Sequence, residues 1–247
     1  MNRLQVRLVV TLMFALSIGQ IEGQIVSDRP DQTESSSTVG YGKLQIESGI
    51  LIGFEGDDPI STRQILAPTT LFRYGITDGI EIRLISQFES LKTGAQKLQG
   101  ISDLEIGAKI QIFKKEGSGS EIAFITHLVV PTGSVELSND NFESINKLAV
   151  SHEINENMSL GYNFGYNYPG AGKGDLSYSL VLGIAVNEKV GIYSELYGEL
   201  VNLENFIVNF DTGLTYLAKA NLQFDLSFGT GINQRMNYIS LGCCWKI

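Results

Sequence analysis

The amino-acid sequence predicts an all-β protein, a closed antiparallel up-and-down barrel of about twelve strands. The first observation behind this prediction is a repeated pattern, in which a three-residue turn joins an apolar strand to a strand of alternating apolar and polar residues. The second is that a long meander of such hairpins has two unpaired edges unless it closes on itself. The turns that show the pattern are residues 77–79, 155–157, 187–189 and 218–220.

An export signal is predicted over residues 1–24. Arg3 and Arg7 precede an apolar run, residues 8–18, and small and polar residues follow that run. This order is typical of a secretory signal peptide, and the apolar run is short for a membrane-spanning helix. A buried N-terminal helix is the alternative.

The next stretch, residues 25–39, is polar and shows no periodicity. We call it the N-terminal segment and expect it to be irregular, either hanging free or folded back into the barrel lumen. The barrel domain is then residues 40–247. If the segment enters the lumen, its candidate plug residues are Asp28, Arg29, Asp31, Thr33 and Glu34.

The predicted strands follow one another with two kinds of connection. The connections on one rim are mostly short turns, and those on the other rim are mostly longer loops, an asymmetry typical of bacterial outer-membrane barrels. We call these the short-turn rim and the long-loop rim. The predicted strands are residues 40–54, a second ending at 76, a third from 80, then 104–112, 121–130, a sixth ending at 154, 158–167, 176–186, 190–200, 207–217, 221–231 and 237–247.

The two faces of these strands distinguish a membrane barrel from a soluble one. A soluble barrel or β-sandwich would place the apolar face inside, and alternation alone does not exclude this. A twelve-stranded lumen, however, is too wide for a dry core, so we expect the large apolar side chains to face lipid. Two aromatic bands on the apolar faces support this choice. They are Tyr74, Tyr216 and Trp245 near the short turns, and Phe54, Phe88, Tyr166 and Phe210 near the other rim.

Composition excludes one class of membrane protein, one kind of partner and a disulfide. Once the export signal is removed, no apolar stretch of about 18 residues remains, which excludes a helical membrane protein. Loss of Arg3, Arg7 and Glu22 leaves 16 basic and 26 acidic residues, so nucleic acid is not an expected partner. Cys243 and Cys244 are adjacent in a predicted strand and point to opposite faces, so we expect no disulfide between them.

Four stretches of the chain carry a family resemblance: residues 28–35, 71–84, 101–109 and 130–133. They are similar to the outer-membrane family named as transporters of the MetA pathway of phenol degradation. The resemblance covers nearly the whole mature chain and implies a passive route for small solutes, with aromatic or apolar solutes as candidates. Barrels of this kind commonly end in an aromatic residue, whereas this chain ends in Ile247.

The polar strand faces supply the candidate lumen-lining residues. A mainly acidic lining would favour cations or neutral polar solutes over anions. Alternatively, these charges pair with one another and brace the barrel, as Glu81 could with Arg83. The candidates are Glu47, Glu81, Arg83, Asp103, Glu105, Lys109, His127, Tyr193, Glu195, Tyr197, Glu199, Asp211 and Asp225.

Catalysis has little support in the sequence. A serine hydrolase on a barrel needs a histidine beside its serine, but Ser151 and His152 point to opposite faces of one strand. His127 and His152 are the only histidines, and with the adjacent cysteines they do not match a metal-binding spacing. We therefore expect no enzyme activity, no catalytic residue, no metal and no cofactor.

The sequence predicts a porin-like channel or transporter for small solutes in a bacterial outer membrane, with lipid and a small-molecule solute as partners. The competing hypothesis is a structural or partner-binding barrel with a plugged lumen. A soluble β-sandwich and an enzyme are less favoured. Oligomeric state is left open by the sequence.

Overall fold

The computed structural model describes residues 25–56, 61–114 and 117–247. The predicted export signal, residues 1–24, lies outside the described residues. Within those three ranges, no helix is long and apolar enough to cross a membrane.

The described chain forms one antiparallel sheet that closes into a barrel. Twelve strands form the wall; β1 pairs with β13 and with β2, and the pairing of β2 with β3 completes the ring, so the predicted barrel is confirmed. The strands are β1 Leu44–Glu55, β2 Thr62–Thr77, β3 Ile80–Thr93, β4 Gln96–Ile101, β5 Leu104–Lys114, β6 Ser120–Val130, β7 Glu143–Asn155, β8 Met158–Tyr168, β9 Asp175–Ala185, β10 Val190–Val201, β11 Asn205–Lys219, β12 Leu222–Gly231 and β13 Met236–Lys246.

Strand β4 was not predicted and does not add to the circumference. It pairs with the outer part of β3, from Phe88 to Thr93, whereas residues 80–85 of β3 pair with β5. A turn at Gly94, whose φ is 59°, joins the two strands. This hairpin therefore extends the wall at the long-loop rim.

Strand β1 begins at Leu44, four residues later than predicted. Gly42 has a φ of 69°, and the Lys43 N–H donates to the Gly40 carbonyl at 3.0 Å. This turn takes the chain out of the lumen and over the short-turn rim before β1 starts. Glycine suits the left-handed conformation that the turn requires.

The two faces of the wall have opposite polarity. Large apolar side chains are exposed on the outside, with Ile50 at 50% and Leu241 at 58%, whereas Arg73, Glu81 and Lys109 are at most 1% exposed on the inside. A water-soluble protein has the reverse arrangement, so the outer face suits lipid. Six of the seven predicted aromatic-band residues are also exposed on this face; Phe210 is half-buried.

Candidate functional site in the barrel lumen

The N-terminal segment lies inside the barrel and spans its bore. Its backbone donates hydrogen bonds to side chains on well-separated strands. The Gln32 N–H contacts Glu195 on β10 at 2.7 Å, the Glu34 N–H contacts Asn163 on β8 at 2.7 Å, and the Val39 N–H contacts Glu81 on β3 at 2.7 Å. Because these strands lie on different sides of the ring, the segment crosses the lumen.

A central charge cluster joins the segment to strands β1, β2, β3, β5 and β7. Its focus is the carboxylate of Asp28, which lies 2.6 Å from Arg83 Nη1, 2.9 Å from Lys109 Nζ and 3.3 Å from Arg73 Nη1. Four cations and four carboxylates make up the cluster. They are Arg73, Arg83, Lys109 and Lys147 with Asp28, Glu34, Glu47 and Glu81.

The strand register explains why this cluster needs carboxylates from the segment. Arg73 and Arg83 are Cα partners on β2 and β3, and like charges directly opposite each other repel. Arg73 binds Glu81 at 2.8 Å and Glu47 at 3.0 Å, which offsets part of this repulsion. Asp28 contacts both arginines and offsets more of it.

Glu34 forms the second ionic attachment of the segment. Its carboxylate pairs with Arg83 Nη2 and, at 2.8 Å, with Lys147 Nζ on β7. Asn163 also donates to the Glu34 carbonyl at 2.9 Å. The segment is thus held to β3, β7 and β8 through one residue.

Arg29 attaches the segment to the opposite part of the wall. Its guanidinium lies 3.1 Å from Asp225 on β12 and donates to the Ser240 hydroxyl at 2.9 Å on β13. Gly49 and Gly242 are register partners, and a Cβ on either would lie within 2.5 Å of this guanidinium. The wall therefore provides a gap that only glycines leave open.

An acidic region lies on strands β10 and β11. The Thr33 hydroxyl donates to Glu195 and lies 2.7 Å from the Ser179 hydroxyl, which can donate to it. Asp31 lies close enough to Glu195 for their charges to interact. Tyr238 donates to one oxygen of Asp211. Buried polar atoms without a hydrogen-bond partner in the described part of the chain include Asp211 Oδ1, Tyr193 OH and Ser227 Oγ.

The remaining predicted lining residues lie towards the long-loop rim. His127 Nε2 accepts a hydrogen bond from Arg83 Nε at 2.9 Å, and His127 Nδ1 is 3.0 Å from Glu105. Tyr197 and Glu199 are half-buried on the outer part of β10.

Asp103 departs from its expected place in the lumen lining. Its carboxylate accepts the Thr132 and Gly133 N–H groups at 2.9 and 2.7 Å and the Ser138 hydroxyl at 3.0 Å. It precedes β5 instead of lying within it, so strand alternation does not set its direction. Asp103 therefore organises the loop between β6 and β7.

Several wall residues of this site were not identified from the sequence. Arg73 is the most consequential, because it contacts three carboxylates. Its signal was available in the sequence. Arg73 is adjacent to Tyr74, which was predicted on the apolar face, so alternation along β2 places Arg73 on the lumen face. The others are Gln45, Glu121, Lys147, Ser151, Asn163, Ser179, Gln223, Tyr238 and Ser240.

A cavity of about 800 Å³ lies beside the segment towards the short-turn rim. Ser36 and Thr33 line it from the segment, and Ser151 and Thr215 line it from the wall. Among the described residues, no group of three or more histidine, cysteine or acidic side chains could hold a metal ion. The site is thus a segment seated in a polar bore with space beside it.

Solved structures of other proteins share this barrel architecture. A search of curated proteins found no match. An outer-membrane channel of Pseudomonas putida F1 has a similar structure, with a TM-score of 0.72 at 10% identity over 86% of this chain and 98% of that one. The KdgM porin in complex with disordered oligogalacturonate gives a TM-score of 0.55 at 13% identity, covering 81% and 98% of the two chains.

The NanC porin has a TM-score of 0.52 at 10% identity, over 81% of this chain and 100% of that one. At these identities the likeness is one of fold. These three structures are a channel and two porins, not enzymes. A family profile matches residues 27–242, and the chain therefore belongs to the outer-membrane β-barrel family described as "Putative MetA-pathway of phenol degradation".

Proposed function

We propose that this protein is an outer-membrane channel for passive passage of small solutes, and that its N-terminal segment closes the bore in the resting state. One observation carries the proposal: the segment crosses the lumen on hydrogen bonds and ion pairs, and adds no strand to the wall. The wall strands pair with one another without it, so the barrel can stay closed on itself when the segment leaves. The fold shared with a channel and two porins supports this reading.

Most of the contacts that hold the segment are hydrogen bonds and ion pairs, and water can replace the hydrogen bonds when the segment leaves. Each neutral hydrogen bond is worth only about 0.5–1.5 kcal/mol net, since water replaces the lost partner. The adjoining cavity of about 800 Å³ offers room for that water. The remaining wall would be polar over the height of the central charge cluster.

The lumen also contains an apolar portion that supports solutes with an apolar body. Four residues lie on the lumen face two positions nearer the long-loop rim than Arg73, Arg83, His127 and Lys147, respectively. We call them the inner apolar band. They are Leu71, Ile85, Val129 and Ile145.

A plugged barrel with a structural or partner-binding role is the second candidate. The observation that favours it is the burial of the ion pairs: Arg73, Arg83 and Asp28 have side chains at most 2% exposed. Breaking such a pair costs about 3–5 kcal/mol, which would hold the segment in place.

A disulfide that locks the segment distinguishes the two candidates. The hydroxyl oxygens of Ser36 and Ser151 are 2.6 Å apart, so Ser36→Cys with Ser151→Cys is well placed for a bond, in a chain that also carries Cys243→Ser and Cys244→Ala. We expect single-channel openings in planar bilayers from the reduced protein and none from the oxidised protein. The matched control is the same chain with Ser151→Cys alone, which should conduct under both conditions.

Two results would count against the proposal. If folded, inserted protein conducts in neither state, the channel function is wrong and the plugged barrel is favoured. If it conducts equally in both states, the segment does not close the bore.

A further inference from the structure

The carboxylate of Asp28 is held by more cations than a single structural ion pair requires. Lys109 Nζ lies 2.9 Å from both of its oxygens, and Arg83 Nη1 lies 2.6 Å from one of them. The Ser35 N–H donates to Oδ1 at 2.8 Å. Lys109 is 0% exposed and Arg83 is 2% exposed, so both donors are fixed by the wall. The Ser35 N–H belongs to the segment, whereas the wall donors Lys109 and Arg83, with Arg73 at 3.3 Å from the same carboxylate, form a cradle for one carboxylate.

The charge balance of the cradle depends on the segment. On the wall, Arg73, Arg83, Lys109 and Lys147 face Glu47 and Glu81, so the cations outnumber the carboxylates by two. Asp28 and Glu34 of the segment supply the two missing negative charges. When the segment leaves, these wall residues carry two positive charges that no carboxylate of the cluster balances, in a confined polar site. Arginine and lysine donors of this kind bind carboxylates with charge-assisted hydrogen bonds.

The inner apolar band adjoins this cradle on the long-loop side. Ile85 follows Arg83 by two residues on β3, and Leu71 precedes Arg73 by two residues on β2. Both are half-buried, so they are accessible from the bore. A solute that placed its carboxylate on Arg83 and Lys109 could lay an apolar body against these side chains.

We propose that the cradle is a binding site for a small monocarboxylate with an apolar body, and that Asp28 occupies it as an internal substitute while the segment is seated. The inference rests on the proposed function, because the solute enters only when the segment leaves. It also differs from the expectation of an acidic, cation-preferring lumen: the acidic side chains of β10 and β11 lie elsewhere in the ring, and the cradle concentrates positive charge on β2, β3, β5 and β7. The solute and Asp28 then compete for the same donors.

Equilibrium dialysis of the refolded full mature chain with labelled benzoate tests the site without requiring conductance. Asp28→Asn with Glu34→Gln removes the internal competitors with little change in shape, and we expect benzoate to bind about tenfold more tightly than to the wild type. Adding Lys109→Met should reverse this gain, whereas adding Lys189→Met, in an exposed turn, should not. Benzamide, which is neutral, should not bind, and acetate should bind more weakly than benzoate.

Folding of each variant is checked by heat-modifiable migration in gels, and Asp28→Asn alone provides a milder change that should act in the same direction. The inference is overturned if the double variant gains no benzoate affinity, or if benzamide binds equally well. If the reduced Ser36→Cys, Ser151→Cys variant conducts but benzoate does not bind, the carboxylate site is wrong and the channel stands. If benzoate binds and the cysteine variant never conducts, the channel is wrong and the site stands.

Discussion

The guanidinium of Arg29 fills the space above Gly242, where an added Cβ would lie 2.5 Å from Arg29 Nε. The three nearest atoms to that Cβ all belong to Arg29, so a side chain at position 242 would meet the segment first. The absence of a side chain there therefore leaves room for the guanidinium of the seated segment. This relationship leads to the first of four predictions.

Gly242→Ala should displace Arg29 without disturbing the barrel. Arg29 would lose its contacts with Asp225 and Ser240, at 3.1 and 2.9 Å. We expect a loss of about 1.5 kcal/mol in docking of the segment, and hence about a tenfold rise in open probability in planar bilayers. Gly53→Ala is the matched control, because its Cβ would have no neighbour closer than 3.5 Å. Equal open probability for Gly242→Ala and the wild type would contradict this account of the glycine.

Lys109→Met should loosen the segment by removing a buried partner of Asp28. Breaking a buried ion pair costs about 3 kcal/mol or more, so amide exchange across residues 25–39 should rise about 100-fold by mass spectrometry. Lys173→Met is the control, since its side chain is 60% exposed in a surface pair with Glu204. Surface pairs contribute at most about 1 kcal/mol. Similar exchange in the two variants would show that Lys109 does not hold the segment.

Asp103 should make the loop between β6 and β7 sensitive to acid. Burial alone would raise the pKa of Asp103, but hydrogen bonds from Gly133, Ser138, Asn139 and Thr132 outweigh it and lower the pKa below 3.8. Because the folded pKa is the lower one, the stabilisation is present above pH 3.8 and is lost as the pH falls through the folded value.

Carboxyl chemical shifts measured by NMR should give a midpoint below 3.8 for Asp103. Protection of the Thr132 and Gly133 amides should fall over the same pH range. Asp103→Asn should lack this pH dependence. A midpoint at or above the ordinary value would refute the role assigned to these hydrogen bonds.

Leu241→Arg should destabilise the barrel from its lipid face. Leu241 lies near the middle of β13, paired with Ile50 and Leu226, and is 58% exposed. Arginine near the bilayer midplane costs about 2–4 kcal/mol, measurable as the unfolding free energy in liposomes. Val135→Arg, in a loop where Val135 is 87% exposed, should change it little. Equal effects at the two positions would argue against a lipid environment for the outer face.

Only some of the residues of the site could be predicted from the sequence. Glu47, Glu81, Arg83 and Lys109 were identifiable as lumen candidates because alternation with a period of two is a local property of each strand. Arg73 obeyed the same rule, since its neighbour Tyr74 was assigned to the apolar face, but Arg73 was not named as a candidate. Strand β4 was missed because its sequence, Gln-Lys-Leu-Gln-Gly-Ile, is short and polar and shows little alternation.

Sequence by itself determined the twelve-stranded barrel and the polarity of its two faces, because turn chemistry and side-chain alternation act between near neighbours. Only the tertiary structure decided that the segment enters the bore and that Asp28 meets Lys109, which is 81 residues away. That contact depends on barrel closure, strand register and the path of the segment across the lumen together. No local pattern encodes all three, so the pairing of segment and wall emerges only when the ring of strands is complete.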